Sequence, residues 1–153
     1  MKKVLVVMGS DSDLKVMEKC VDRLKSFDIP TEVRICSAHR TPAVAEQLAK
    51  NAAAGKAAHL GGVLAAYTTL PVIGVPMATS VMGGMDSLLS IVQMPKGIPV
   101  ATVAIDGADN AAILAAQMIA LSDDALAQKL AQFKADMAAE VTAKDEKVRA
   151  QFA

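Results

Sequence analysis

The sequence contains no tryptophan, one tyrosine and three phenylalanines, so aromatic residues make up only 3% of it. The stacking platforms on which proteins hold single-stranded nucleic acid are therefore largely missing. Net charge is also lacking, because 16 basic residues balance 16 acidic ones. A neutral chain has no electrostatic attraction to nucleic acid or to an anionic membrane. Since no apolar run approaches the ~20 residues of a membrane span, we expect neither kind of partner.

Cysteine is scarce as well. Cys20 and Cys36 stand far apart, with no CxxC pair and no spacing typical of metal ligands. The apolar run after Lys3 is only about five residues long, shorter than the core of a secretory signal. We therefore expect a reduced, cytoplasmic protein whose two thiols serve in packing, and no bound metal.

What the sequence does contain is aliphatic: 53% of the 153 residues are hydrophobic, enough for one core in a single domain spanning 1–153. Residues 3–8 and 31–36 have the β-branched pattern of strands, and residues 14–27 and 41–51 have helical spacing. Strand, helix, strand, helix predicts an α/β fold with a parallel sheet flanked by helices.

The alternation breaks after residue 51. Residues 51–59 contain no β-branched residue, and the sequence continues directly into a helical pattern over 57–67. We then expect strands over 70–76 and 100–105, a short helix over 87–92, and helices over 107–121 and from Asp123 or Asp124 to about Arg149. The last helix has a charged face and many alanines, which suggests an outer arm that packs on another subunit.

Two polar segments follow the first two predicted strands: Ser10-Asp11-Ser12-Asp13 and Ser37-Ala38-His39-Arg40. The carboxyl ends of parallel strands line the ligand crevice of an open α/β sheet. Hydroxyls and backbone N–H groups at the start of a helix favour an anion such as phosphate. Alternatively, Ser10 or Asp11 simply caps the first helix.

His39 is the natural general acid and base, because imidazole titrates near neutral pH. Arg40 suits bidentate contact with phosphate or carboxylate. Each also has a simpler interpretation, a local hydrogen bond for His39 and a surface ion pair for Arg40. His59 is either a second polar group of the site or the cap of a helix, and residues 76–84 and 93–99 are loops that can cover a site.

Five segments together resemble the PurE family of purine biosynthesis, in order and over nearly the whole chain: MGSDSD (8–13), SAHRTP (37–42), AAHL (57–60), LPVIGVP (70–76) and DSLLSIVQMPKGIPVATVAI (86–105). The resemblance implies a three-layer, flavodoxin-like α/β fold and a homo-octamer. It also implies N5-carboxyaminoimidazole ribonucleotide mutase activity on a small ribonucleotide, without metal or organic cofactor.

The resemblance further implies a role for each site residue. Ser10 faces the phosphate, Asp13 the ribose hydroxyls, and Ser12 belongs to the same loop. Arg40 contacts phosphate, Ser37 lines the pocket and His59 faces the carboxylate or CO2. His39 moves the protons, and the loop that contains Gln93 closes over the base.

One segment departs from the family pattern. A strand and its small-residue turn, roughly ten residues, are absent between about Asn51 and Lys56, where the alternation also breaks. We predict that residues are missing there, which an abnormally long step between consecutive Cα atoms would reveal.

Three alternative functions stay open. One is direct carboxylation of aminoimidazole ribonucleotide by CO2, the class II reaction of the family. Another is a flavodoxin-like binding or electron-transfer module, although Tyr67 and three phenylalanines offer little to sandwich a flavin. The third is a catalytically inactive structural homologue.

Overall fold

The computed structural model describes residues 2–51, 60–80 and 82–152. Its strands are β1 (Val4–Met8), β2 (Thr31–Ile35), β3 (Ile73–Gly74) and β4 (Ala101–Thr102). Its helices are α1 (Leu14–Ser26), α2 (Pro42–Asn51), α3 (Leu60–Tyr67), α4 (Met85–Val92), α5 (Ala108–Ala120) and α6 (Asp124–Gln151). No helix among these residues is long and apolar enough to cross a membrane.

The strands form two parallel pairs. β1 pairs with β2 from Val4 opposite Thr31 to Met8 opposite Ile35. β3 pairs with β4, with Ile73 opposite Ala101 and Gly74 opposite Thr102. The predicted parallel α/β fold is therefore confirmed.

The core lies around β1, all five residues of which are buried. Leu5 and Val7 pack in one cluster with Leu48 of α2 and with Leu60 and Leu64 of α3. A strand buried on both faces has the continuous apolar sequence of residues 4–8. β2 is different, since Val33 and Ile35 on it are 40% and 57% exposed.

The boundaries of α1, α2, α4, α5 and α6 agree with the sequence patterns to within about two residues. α3 ends at Tyr67 as predicted, and its predicted start at residue 57 lies outside the described residues. Asp123 caps α6, because its Oδ1 accepts a hydrogen bond from the backbone N–H of Leu126 at 3.0 Å. β3 and β4 are shorter than the segments predicted to be strands. Pro71, Pro76 and Pro99 flank them, and a proline has no N–H for the ladder.

The chain consists of two compact units, residues 1–115 and 116–153. The first contains the four strands found among the described residues and both loops predicted to bind ligand. In the second, α6 carries most of the length, and its residues beyond Leu126 are largely exposed. The predicted break in the alternation falls on residues 52–59, which lie outside the described residues.

Candidate active site

Two polar loops begin side by side at the carboxyl ends of β1 and β2. Met8 and Ile35 are paired in the ladder, and the backbone N–H of Cys36 donates to the carbonyl of Met8 at 2.8 Å. Ser10 therefore lies two residues beyond one member of a ladder pair, and Ser37 two residues beyond the other. Neighbouring strands are about 4.8 Å apart, so the register brings these loops to one edge of the sheet, as the sequence predicted.

The first loop is a short 3-10 turn, Asp11–Asp13, that leads into α1. Ser10 caps this turn, because its Oγ accepts from the N–H of Ser12 at 3.3 Å. The same hydroxyl donates to Oδ1 of Asp11 at 3.0 Å. Ser10 therefore caps the 3-10 turn that precedes α1, and not α1 itself. The N–H groups of Ser12 and Asp13 and the Ser10 hydroxyl are all used in hydrogen bonds within this turn.

The second loop, residues 37–41, is closed by Thr41. Its Oγ1 accepts from the N–H of Ser37 at 3.0 Å and donates to the carbonyl of Ser37 at 2.9 Å. The Thr41 N–H donates to that carbonyl as well, at 2.9 Å. Inside the loop, Ser37 Oγ accepts from the N–H of Arg40 at 3.1 Å. Four hydrogen bonds therefore set the turn that displays residues 38–40.

Thr41 also connects this turn to α2. Its carbonyl accepts from the N–H groups of Val44 and Ala45, both at 3.1 Å, in the first turn of the helix. Thr and Pro are a favourable pair for the N-cap and first residue of a helix, and α2 does begin at Pro42. The Thr41 hydroxyl, however, bonds back to Ser37. Reasoning from the sequence missed this role of Thr41 in the loop.

His39 and Arg40 are both exposed at the tip of the turn. No described carboxylate lies within ion-pair distance of Arg40, so the alternative of a surface ion pair receives no support in the described part of the chain. An exposed guanidinium and imidazole on consecutive residues can reach a ligand that sits over the sheet edge. His59 lies outside the described residues.

A further loop that includes residues 77–80 follows β3. Its backbone is held by Asp106, whose Oδ1 accepts from the N–H of Ala78 at 2.9 Å, and by Ser87, whose Oγ accepts from the N–H of Met77 at 3.1 Å. Asp106 adopts a positive φ of 55°, and its own N–H donates to the Pro76 carbonyl at 2.9 Å. Reasoning from the sequence missed Asp106, although an Asp-Gly pair just after a strand is a turn signal.

The thiol of Cys20 is not a candidate nucleophile. Burial, together with a smaller effect of the Asp109 carboxylate, raises its pKa to about 12. A thiol with that pKa stays protonated and unreactive at neutral pH. Among residues 2–51, 60–80 and 82–152, no three His, Cys, Asp or Glu side chains are grouped so that they could hold a metal ion.

Parallel strand pairs flanked by helices, with two polar loops at the carboxyl ends of adjacent strands, define a flavodoxin-like α/β protein. The chain belongs to the AIR carboxylase family, whose model matches residues 3–140. It is also similar to the crystal structure of Treponema denticola PurE, with a TM-score of 0.87 and 28% identity over 96% of this chain and 98% of that one.

Several relatives are about half identical to this chain. N5-carboxyaminoimidazole ribonucleotide mutase of Methanocaldococcus jannaschii is 51% identical over 97% of this chain and 99% of its own. The protein of the same name from Mycobacterium leprae is 51% identical over 94% and 90%. That of Thermotoga maritima is 48% identical over 97% and 92%.

Each of these alignments has more positions than the number of residues that this chain contributes to it. The Methanocaldococcus alignment runs over 156 positions, yet 97% of 153 residues is only about 148. About eight positions of that relative therefore face no residue here. The Thermotoga alignment, 158 positions with the same 97%, leaves about ten. A shortfall of this size agrees with the strand and turn that the sequence pattern lacks after Asn51.

Proposed function

We propose that this protein is an N5-carboxyaminoimidazole ribonucleotide mutase of purine biosynthesis, which moves a carboxylate from N5 to C4 of the aminoimidazole ring. The observation that carries the proposal is the pairing of Met8 with Ile35, which places the Ser10 loop and the His39 loop at one sheet edge. The relatives that are about 50% identical over more than nine tenths of this chain bear that name. An isomerase with a small-molecule substrate follows from both.

The proposed chemistry needs one proton carrier. As the N5–carboxylate bond breaks, CO2 leaves and N5 takes a proton from the His39 imidazolium. C4 then attacks the retained CO2, and the neutral imidazole removes the proton that C4 still carries. His39 donates one proton in the first step and takes one back in the second. Protons and charge therefore balance without ATP or a metal. Retention of CO2 needs a pocket from which water is excluded.

The remaining site residues bind the ribonucleotide. Ser10 holds the phosphate together with Arg40, whose guanidinium matches phosphate oxygens, and Ser12 belongs to the same loop. Asp13 accepts hydrogen bonds from the ribose hydroxyls. Ser37 lines the pocket and His59 faces the carboxylate.

The proposal also covers the domain organisation, assembly and location of the enzyme. One PurE-like domain spans residues 1–153, which the family match over 3–140 supports because it crosses both compact units. The enzyme works as a homo-octamer in the cytoplasm. Both cysteines are free thiols, as expected in a reducing compartment, and apolar side chains stay exposed on β2 and α6.

Replacement of His39 tests the mechanism. His39→Asn keeps a polar side chain of similar size but cannot carry a proton, so we expect turnover of N5-carboxyaminoimidazole ribonucleotide to fall by about a hundredfold or more. The exposed position predicts an unchanged urea midpoint, which serves as the folding control. Full activity in a folded His39→Asn protein contradicts the proposed mechanism.

Direct carboxylation of aminoimidazole ribonucleotide by CO2 is the second candidate, favoured by the description of the family as AIR carboxylase. The two activities differ in which compound they consume. The mutase turns over the N5-carboxylated ribonucleotide at low bicarbonate, whereas the carboxylase requires the uncarboxylated one and added CO2. Each substrate is supplied alone and the C4-carboxylated product is measured.

A further inference from the structure

Every described residue that we assign to the ribonucleotide lies in one of two loops, which follow β1 and β2. His39 and Arg40, at the tip of the second loop, are exposed. Neighbouring strands are only about 4.8 Å apart, so two adjacent loops support one side of a ribonucleotide and leave the rest of it open to water. The proposed chemistry, however, keeps CO2 in a pocket from which water is excluded. A further wall is therefore needed, and the carboxyl edge of the sheet is where it can stand.

Residues 77–80 leave the sheet at this edge. β3 and β4 are joined by N–H groups that donate to the carbonyls of Val72 and Gly74, at 2.9 and 3.1 Å, and a third bond joins the Asp106 N–H to the Pro76 carbonyl at 2.9 Å. Pairing thus reaches Pro76, and residues 77–80 follow directly. Because the strands of a flavodoxin-like sheet run parallel, this segment emerges at the edge that bears the two polar loops.

β1 and β3 also lie at about the same height. Val6 of β1 and Val75, one residue beyond β3, line one apolar cavity together with side chains of α1 and α5. β1 ends at Met8, two residues after Val6, and the pairing of β3 with β4 ends at Pro76, one residue after Val75. The 77–80 segment therefore starts at about the same level as the first polar loop.

The 77–80 segment is fixed by side chains that lie outside it. Three consecutive residues each make one such bond: the Met77 N–H donates to Ser87 Oγ at 3.1 Å, the Ala78 N–H to Asp106 Oδ1 at 2.9 Å, and the Thr79 hydroxyl to Asp86 Oδ1 at 2.9 Å. Ser87 is buried, and it lies with Asp86 in the first turn of α4. The segment cannot swing over a ligand without breaking these bonds.

The start of α4 also approaches the backbone of this segment closely. Gly84, the residue before α4, has a φ of 95°. A Cβ added to it would lie 2.8 Å from the carbonyl oxygen of Met77 and 3.1 Å from the Cα of Ala78. Only glycine suits both the conformation and the contact, so the position of the segment is determined from this side as well.

Asp106 connects the segment to the turn before α5. Its N–H donates to the carbonyl of Pro76, and its Oδ1 accepts from the N–H of Ala78. One residue thus serves a carbonyl and an N–H of the same loop. Its φ of 55° lies in the left-handed region, which residues other than glycine seldom adopt. Residues held in such conformations cluster at functional sites.

We propose that residues 77–80 form a preformed further wall of the candidate active site, and that Asp106 is the residue that positions this wall. The inference rests on the proposed function and adds a positioning residue to it. Asp106 acts on the ribonucleotide only through the backbone of residues 78–80, which are exposed. Its removal should leave His39 able to carry protons but open the pocket, so that CO2 escapes.

The partition of products tests the wall. When CO2 escapes after the N5–carboxylate bond breaks, N5 keeps the proton from His39, solvent returns a proton to His39, and aminoimidazole ribonucleotide is released in place of the C4-carboxylated product. Asp106→Gly permits the left-handed backbone but removes the carboxylate. We expect it to raise the fraction of turnovers that release the uncarboxylated ribonucleotide, and to lower kcat/KM, each by about fivefold to tenfold. The rate of decarboxylation without enzyme is subtracted.

Two variants serve as matched controls. Asp106→Asn keeps an oxygen that can accept from Ala78 and tolerates the left-handed region, so it should keep the product partition of the parent. Asp28→Gly makes the same substitution at another aspartate of left-handed φ, 58°, in the turn between α1 and β2 at the opposite end of the strands. It should also match the parent. If Asp106→Gly does not fold, Thr79→Val removes an exposed bond to the same segment and should shift the partition in the same direction.

Amide hydrogen exchange tests the geometry without turnover. With no ligand present, the Ala78 amide should exchange at least about tenfold more slowly in the parent and in Asp106→Asn than in Asp106→Gly. Aminoimidazole ribonucleotide added to the parent should slow exchange at residues 79 and 80, and leave residues 137–141 of α6 unchanged.

Failure of this inference is distinct from failure of the proposed function. If the parent turns over the N5-carboxylated ribonucleotide and Asp106→Gly keeps its partition and kcat/KM, the function stands and the inference is overturned. The inference also fails if the ribonucleotide slows exchange only in residues 10–13 and 37–40. A change in sedimentation without a change in partition would assign the segment to a subunit interface and likewise overturn it. A parent that turns over neither ribonucleotide overturns the proposed function itself.

Discussion

At the scale of single residues, the candidate site depends on Thr41 as much as on His39. The Thr41 hydroxyl both accepts from and donates to the Ser37 backbone, and its carbonyl starts α2. Thr41 thus connects the loop that displays His39 to a rigid element. It is a positioning residue, since it acts on the substrate only through the geometry of the turn.

Thr41→Val tests this role. Valine has the same shape but loses both side-chain hydrogen bonds to Ser37, so we expect kcat to fall about tenfold while the pH profile keeps its shape, because His39 is displaced and not chemically altered. Thr41→Ser keeps the hydroxyl and should retain most of the activity. A Thr41→Val enzyme with full kcat would show that the turn is set by other contacts.

Residue types could be predicted from the sequence, but their contacts could not. His39 and Arg40 were recognisable as candidates because imidazole and guanidinium have distinctive chemistry next to a strand end. The position of Ser10 just before a predicted helix likewise identified it as a candidate cap. The backward-directed hydroxyl of Thr41 and the bond from Ala78 to Asp106 depend on loop geometry, which no periodicity encodes.

At the scale of elements, β3 is held by close packing against α4. A Cβ added to Gly74 would clash with Cγ2 of Ile91 and meet Cγ1 of Val100 at 3.0 Å. Gly74 and Ile91 are buried and Val100 is half-buried, and protein interiors are packed to crystal density. Glycine here permits the close approach of strand and helix.

Gly74→Ala should therefore destabilise the protein by about 1–3 kcal/mol, the usual cost of overpacking. Gly61→Ala is the matched control, since its Cβ meets only Val100 at an ordinary 3.8 Å and lies in a helix that favours alanine. Urea unfolding of both variants gives the comparison. Equal stabilities would mean that α4 shifts to make room.

At the scale of the whole molecule, α6 presents apolar residues to solvent. Met137, Val141 and Val148 are 43%, 66% and 53% exposed. At about 100° per residue these three lie within roughly 40° of one another on the helix surface. An apolar stripe on an exposed helix is typical of a surface that a partner covers, which agrees with the proposed homo-octamer.

Val141→Lys should weaken the assembly, because it places a charge in the middle of this stripe. Ala143→Lys adds the same charge about 200° around the helix and is the control. Sedimentation velocity at equal concentration should show an octamer for the parent and for Ala143→Lys, and smaller species for Val141→Lys. If Val141→Lys remains an octamer, this apolar stripe is not part of the subunit interface.

The sequence by itself determined the class of fold, the boundaries of most helices and the chemistry of the Ser10 and His39 loops. These features are local: side-chain periodicity, caps such as Asp123 and the functional groups of a few residues. The break in the alternation after Asn51 was also visible in sequence, because a βα chain must supply a strand there.

Only the tertiary structure decided which segments pair. β1 pairs with β2 and β3 with β4 across long separations in sequence, and hydrogen-bond direction in a ladder emerges only when strands are paired. The same holds for the joining of the two polar loops, which depends on the register of Met8 with Ile35. Pairing across long separations is a property of the folded chain, and no local pattern contains it.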